Sequence, residues 1–381
     1  MRIAVMMHTL RPSGAELAML RLLPGLAEHD ITVIAGEGGP LEARLRELPV
    51  RLVRVALPAQ LRGLGRQTGW RAIPAAAVAS VGYTSRLIGV LRQGDFDLIH
   101  ANSTKAAVFG TLPGLTTRTP VIWHLRDQLT REYMGRSAGL IRILAGCFAA
   151  GVLANSASTL STLPRSRGPR VVAASPLGPE VDFDFAPQSP EPLVLVMIGR
   201  ISPWKGQDVF ISALAALPED AWKTAYIIGS PLFGEDDYLA SLTRLIADLG
   251  LADKVVLVGQ VDDTTPWLHR AHLMVHASVL PEPFGQVIVE AMAAGTPVIA
   301  TNAGGPAEII TAGVDGLLVE PGNVNALTTA ISQLHGSPDD RESMIRAARE
   351  TAAQYRLAAI APRVLDTYAV TARSREGQRP L

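Results

Sequence analysis

A single cysteine in 381 residues rules out an internal disulfide. Cys147 has no metal-ligand spacing around it and is expected to be a core residue of a chain kept in a reducing compartment. Aromatic residues make up only 5% of the chain and no recognition motif for nucleic acid is present, so nucleic acid is not an expected partner. There is no net charge, because 35 Lys and Arg balance 35 Asp and Glu. Long apolar runs are missing as well. The opening MRIAVMMHTL meets Arg11 at once, too early for a signal peptide. The longest uncharged stretch, Ile143 to Pro164, is interrupted by Gly151, Asn155 and Ser156, which divide it into a helix end, a strand and a new helix start rather than a membrane span. A cytoplasmic chain is expected, with the inner membrane face as its one candidate for peripheral contact. Two D-x-D triplets, Asp95 to Asp97 and Asp182 to Asp184, have no His or further carboxylate nearby, so no metal is expected at either.

What is present is 48% hydrophobic residues and 18% charged ones in a chain too long for one ordinary core, which suits two domains. Short apolar runs alternate with helical patterns, the rhythm of parallel sheets covered by helices. The first series of strands is expected at Ile3 to Met7, Ile31 to Ala35, Leu52 to Val55, Leu98 to Ala101, Val121 to His124, Val152 to Asn155 and Val171 to Ala174. The second is expected at Leu193 to Ile198, Ala225 to Ile228, Val255 to Val258, Leu273 to His276, Val298 to Thr301 and Leu317 to Val319. Between them SPLGPEVDFDFAPQSPEP reads as a linker. The fold class is therefore α/β with two doubly wound, Rossmann-like domains. The halves differ in charge: residues 1 to 180 hold 21 Lys and Arg against 11 Asp and Glu, and the remainder holds 14 against 24. The basic half is expected to attract an anion, whether a phosphate-bearing acceptor, an anionic membrane surface or the acidic second half. Within it, Arg62 to Arg92 holds five arginines with Trp70 and Tyr83 interleaved, a solvated helical hairpin or a lipid-facing segment.

Chemistry is concentrated in VLPEPFGQVIVEAMAAG, Val279 to Gly295. Pro281 and Pro283 forbid helix before Gly285, and an apolar helix then runs to Gly295. The amides around Phe284, Gly285 and Gln286 form a seat for phosphate, flanked by Glu282 and Glu290. An ionised carboxylate only accepts hydrogen bonds, which suits it to sugar hydroxyls. In VLVMIGRISPWKGQDVF, Gly199 and Arg200 end a strand and Lys205 opens the next helix, two cations placed to clamp a diphosphate. Gly259, Gln260 and Val261 end another strand. TNAGGPAEII places Gly304 and Gly305 at a helix start with Glu308 in its first turn, a donor contact or a complement to the helix dipole. In the first half, HTLRPSGAELAML makes a turn at Pro12, Ser13 and Gly14 before a helix from Ala15 to Leu26. PVIWHLRD ends with His124, Arg126 and Asp127. His124 is expected to face substrate, while Arg126 and Asp127 bind acceptor or pair with each other. Thr9 and the loop Asn102 to Lys105 are further candidates.

Glu282, Phe284, Gly285 and Glu290, with Arg200 and Lys205, resemble the E-x7-E and diphosphate-binding motifs of retaining glycosyltransferases of the GT-B type, family 4-like. Gly14 resembles the second glycine of that family's G-G-A-E loop, with Ser13 in place of the first. The resemblance implies two Rossmann-like domains facing a cleft: residues 1 to 183 for the acceptor, 184 to 363 for the nucleotide sugar, and a final segment, 364 to 381, crossing back to the first. It implies transfer of a hexose or N-acetylhexosamine from a UDP- or GDP-linked donor to a small-molecule, glycan or lipid-linked acceptor, with retention, with no cofactor and with no metal. The implied catalytic set is His124, Arg200, Lys205 and Glu282, and the donor set is Gly14, Gly199, Gln260, Val261, Phe284, Gly285, Gln286 and Glu290. Arg126 and Asp127 fall to the acceptor. Two other readings share this shape: a nucleotide-sugar 2-epimerase, and a non-catalytic sensor of nucleotide sugars.

Overall fold

The computed structural model describes residues 1–62, 73–179, 181, 192–232 and 234–376. Trp70, the Asp182 to Asp184 triplet and most of the proline-rich linker lie outside the described residues. Two compact units form, one from Met1–Pro176 with the last helix, Leu357–Glu376, and one from Leu177–Arg356. These changes of unit fall a few residues before the sequence-based divisions at 183/184 and 363/364. The return to the first unit starts with the first residue of the last helix. There Leu357 and Ala361 lie so close to Gly25 that a Cβ on that glycine would stand 2.7 Å from the Ala361 Cβ.

The first unit holds seven parallel strands: β1 (Arg2–Met7), β2 (Asp30–Ala35), β3 (Arg51–Arg54), β4 (Leu98–Ala101), β5 (Val121–Leu125), β6 (Gly151–Ala154) and β7 (Arg170–Val172), in the order β3-β2-β1-β4-β5-β6-β7. The interior strands β4, β5 and β6 are buried along their whole length, and β1 and β2 along all but their first residue, as both faces of a parallel sheet must be. Alternate residues of β1 serve opposite cores. Ala4 and Met6 pack with Tyr83, Leu87 and Leu91 of helix Ile73–Gly94 and with Ala145 of helix Ala138–Phe148. Ile3, Val5 and Met7 pack with Met19 and with Val364 and Tyr368 of the last helix. The helix after β1 runs from Gly14 to Leu22 and then tightens into a 3-10 turn, Leu23–Leu26, short of the expected single helix. Pro24 is the cause, since it has no N–H to continue the helical ladder.

The second unit holds six parallel strands: β8 (Leu193–Ile198), β9 (Trp222–Ile228), β10 (Val255–Gly259), β11 (Leu273–His276), β12 (Val298–Thr301) and β13 (Leu317–Val319), in the order β10-β9-β8-β11-β12-β13. All thirteen expected strands are found, with ends displaced by a few residues. In both sheets the strand order reverses once, between β1 and β4 and between β8 and β11. Loops leaving the carboxyl ends of those pairs diverge, and ligands of open α/β sheets bind there. No helix among the described residues is long and apolar enough to cross a membrane.

Cys147 departs from its expected place, because it is exposed. Helix Ala138–Phe148 covers the sheet with Ala138 and Ala145, and Cys147 falls on its outer side.

Candidate functional site

In the second unit the loop after β8 and the loop after β11 are joined by backbone contacts. Val279 N–H donates to Trp204 C=O at 2.8 Å. Gly206 sits between them at φ +73, and a Cβ there would stand 2.1 Å from Ala277 O. Only glycine meets both demands, the left-handed backbone and the close approach. Gly206→Ala should therefore lower stability by about 1–2 kcal/mol from the dihedral alone, with the clash adding to it. A thermal melt checks this, and an unchanged Tm would contradict the geometry.

This junction brings Lys205 onto Glu282. Lys205 Nζ donates to Glu282 Oε2 at 2.6 Å, and the same oxygen takes hydrogen bonds from Ser278 Oγ at 3.0 Å and His276 Nε2 at 3.2 Å. Accepting at Oε2 fixes the proton of His276 on Nε2. Burial would raise the Glu282 carboxyl, but the ammonium of Lys205 and the hydrogen bond from His276 outweigh it and hold the group well below the usual carboxylate range. Glu282 is thus ionised at any physiological pH, with all three recorded partners on Oε2. Trp204 carries the second cation. Lys205 Nζ lies 4.3 Å from the centre of its ring and the Arg200 guanidinium 5.7 Å from it, so the two cations share one aromatic platform. Arg200 also faces Glu235, Nε to Oε2 at 3.8 Å, while Ser202 Oγ donates to Oε1 of the same carboxylate at 2.6 Å.

The loop after β12 closes on the same segment. Gly305 N–H donates to Glu282 C=O at 2.8 Å. Gly304, at φ +71, approaches so closely that a Cβ would stand 2.2 Å from that carbonyl oxygen. Gly285, at φ +97, caps helix Gln286–Ala294, which ends at Gly295 in the same left-handed conformation. The helix start therefore opens beside Glu282, with its first amides lacking intrahelical acceptors. Glu290 is buried one turn inside, and Gln286 Nε2 donates to its Oε1 at 3.1 Å. The ring of Phe284 is buried and lies 5.6 Å from that of Tyr355. Gly199 passes 3.9 Å from the Lys205 stem, measured from an ideal Cβ. Gln260 is exposed at the end of β10, its amide donating to Val261 C=O at 3.2 Å.

The first unit carries a second polar cluster at the ends of β1, β4 and β5. Arg126 donates twice to Asn102 Oδ1, at 2.9 and 3.2 Å, and once to Ser175 Oγ at 3.2 Å. Burial lowers its guanidinium to about 10. Gly14 opens the helix that carries Glu16. That carboxyl is buried, accepts from Ser13 Oγ and is pushed by burial up to about 7. His8 lies 3.6 Å from Glu16 and bonds Ser103 Oγ at 3.0 Å, and burial lowers it to about 4. Asp127 is exposed. Asp95 and Asp97 of the first D-x-D triplet both meet Arg2.

His124, expected at the carboxyl end of a central strand, is the last but one residue of β5. β5 extends through Leu125, which leaves His124 inside it and 1% exposed. Its Nε2 faces Ala173 C=O at 3.4 Å and its Nδ1 faces His100 Nε2 at 3.0 Å, while His100 Nδ1 meets the Tyr368 hydroxyl. A carbonyl at one end requires the His124 proton on Nε2. That in turn makes His100 donate through Nε2 and accept from Tyr368. Both rings are thereby used inside the core, and the residue past the strand end is Arg126. Trp204, His276, Ser278 and Glu235 were not anticipated. Polar His276 and Ser278 closing an apolar strand run were the one signal for them.

The second half of the chain, residues 180–351, matches the family model for glycosyl transferases group 1, and residues 13–178 match that for a glycosyl transferase 4-like domain. A D-inositol 3-phosphate glycosyltransferase of Catenulispora acidiphila is 33% identical over 57% of this chain and 55% of its own length. The chain thus spans about half of that relative. A D-inositol 3-phosphate glycosyltransferase of Kribbella flavida is 28% identical over 92% of this chain and 82% of its own. Among solved structures, Anabaena Alr3699/HepE in complex with UDP-glucose superposes with a TM-score of 0.81 at 28% identity, covering 97% of this chain and 99% of that one. Two units of the matching architecture, each coinciding with one family model, establish that this chain belongs to the GT-B glycosyltransferases, with a family 4-like first half and a group 1 second half.

Proposed function

We propose that the chain transfers a hexose from a nucleoside diphosphate sugar to an acceptor hydroxyl, with retention at the anomeric carbon and without a metal. The observation that carries this is the meeting of Lys205 with Glu282, beside Arg200 on the shared Trp204 ring, where the loops after β8 and β11 are joined. As the glycosidic bond breaks, its electrons pass to the leaving diphosphate. Arg200, Lys205 and the amides opening helix Gln286–Ala294 are arranged to hold that charge. Glu282 stays ionised and accepts from the sugar hydroxyls, and Glu290 does the same for the ribose. Gly199 gives the phosphates room, and the backbone of Gln260 and Val261 faces the base. The acceptor oxygen bonds to the anomeric carbon on the face the diphosphate leaves, and its proton passes to a departing phosphate oxygen. No residue is needed as a covalent nucleophile. The Arg126 and Glu16 cluster is the acceptor's place in the first unit, with Asp127 at its edge. The structural likeness to a chain solved with UDP-glucose makes UDP-linked hexoses the first donors to try.

The test is release of nucleoside diphosphate from a panel of UDP- and GDP-sugars, with and without candidate acceptors. Release that depends on acceptor supports transfer; conversion of the sugar with no acceptor would favour an epimerase, and binding without turnover a sensor. Glu290→Ala should weaken nucleotide binding about tenfold, the worth of a charge-assisted hydrogen bond, whereas Glu282→Gln should leave binding nearly intact and cut turnover. Equal loss of binding in both variants would count against the divided roles.

A further inference from the structure

Three helices lie side by side on one face of the first sheet: Ile73–Gly94, Thr104–Thr117 and Ala138–Phe148. None contains an aspartate or a glutamate. Their charged residues are Arg86, Arg92, Lys105 and Arg142, and Arg118 and Arg136 stand just beyond helix ends. The same three helices turn large apolar side chains to water, with Val78 and Val81 on the first, Leu112 and Leu115 on the second, and Leu140 and Ile143, 61% and 62% exposed, on the third. Other exposed large apolar residues among those described, such as Leu232, Val256 and Val314, stand singly on separate elements.

The sheet does not require these outer residues. Each helix already buries an inner stripe, Tyr83, Leu87 and Leu91 on the first and Ala138 and Ala145 on the third. Large apolar side chains exposed together on neighbouring helices mark something that covers them. The covering partner must take aliphatic side chains and, among them, meet the guanidinium groups of helices that carry no carboxylate of their own. A second copy docking through the same face would set arginines against arginines. A lipid bilayer meets both demands together, since acyl chains receive Leu and Ile while headgroup phosphates receive Arg. We infer that this face rests on an anionic phospholipid surface. Helix Ala138–Phe148 follows β5, so its first turn, which holds Leu140, lies toward the carboxyl edge of the sheet where Asn102 and Arg126 stand. This docking face is separate from the residues proposed to handle the donor, and nucleotide binding reports on those alone.

Sedimentation of the full chain with vesicles tests it. The protein should pellet with mixed phosphatidylglycerol and phosphatidylcholine vesicles and stay in solution with phosphatidylcholine alone. Leu140→Gln with Ile143→Gln should weaken that binding about tenfold or more, through lost apolar burial. Arg136→Gln and Arg142→Gln should each weaken it about fivefold. All four positions are exposed, so UDP binding and the thermal melt should not move. Cys147, the chain's one cysteine, lies on the same helix and is exposed, so a polarity-sensitive dye on it should shift to the blue on anionic vesicles only. Failure to pellet, equal binding to neutral vesicles, or indifference to all four substitutions would overturn the inference. So would a self-association that Leu140→Gln abolishes, which gives the face to a second copy, or binding to polyglutamate as tight as to vesicles, which gives it to an acidic protein.

Discussion

Lys205→Met is expected to cost the protein both stability and turnover, by separable routes. The ammonium lies 2.6 Å from Glu282 Oε2, with the two side chains only 15% and 12% exposed, so removing it strands a buried carboxylate. Breaking such a pair from one side typically costs about 3 kcal/mol or more, and the remaining bonds from His276 and Ser278 recover part of it. Turnover should fall by about two to three orders of magnitude, the usual loss when one fixed donor to a developing oxyanion is removed. The pair Lys205→Met with Glu282→Gln separates the effects. A neutral amide can still accept from Ser278 and His276, so the melt should return most of the way, while turnover stays low or falls further. Recovery of turnover in the double variant would mean that Lys205 serves only to balance Glu282, and the diphosphate clamp would be lost with it. A single variant with normal turnover would have the same force.

Much of this site was legible in sequence, and what was missed has a common cause. Buried parallel strands read as unbroken aliphatic runs, so all thirteen were found, and Gly285 and Gly295 marked both ends of their helix because a left-handed cap admits little else. The short spacing from Arg200 to Lys205 showed two cations on one loop. It did not show that Trp204 between them is their common platform, nor that Lys205 reaches a carboxylate 77 residues away. That contact depends on β8 and β11 being neighbours, which the strand order settles and local pattern does not. The surroundings of His124 were hidden for the same reason. One more residue in β5 moves it from the last place in the strand to the last but one, and its network ends on Tyr368, far along the chain.

That buried network makes acid the condition to which the first unit should be most sensitive. Burial holds His100 at about 3 and His124 well below the ordinary histidine value, and His8 is lowered to about 4. A histidine depressed in the folded state stays neutral while the unfolded chain takes up a proton below about 6.5. Its contribution to stability is therefore complete above that pH and is lost as pH falls toward the folded value. Glu16 acts in the opposite sense. Raised to about 7, it keeps its proton in the folded state while the unfolded carboxyl releases it above about 4.5, so it favours folding more as pH falls from 7 to 4.5. Three histidines against one carboxyl leave a net uptake of about two protons on unfolding between pH 6 and 5, worth about 3 kcal/mol per pH unit. Urea unfolding of the full chain at pH 7, 6 and 5 should show a steep loss below pH 6. Glu16→Gln should steepen it, because the opposing group is gone. A flat profile, or one that Glu16→Gln leaves unchanged, would mean that these histidines charge inside the folded protein and that the directed chain from Tyr368 to Ala173 is not fixed as drawn.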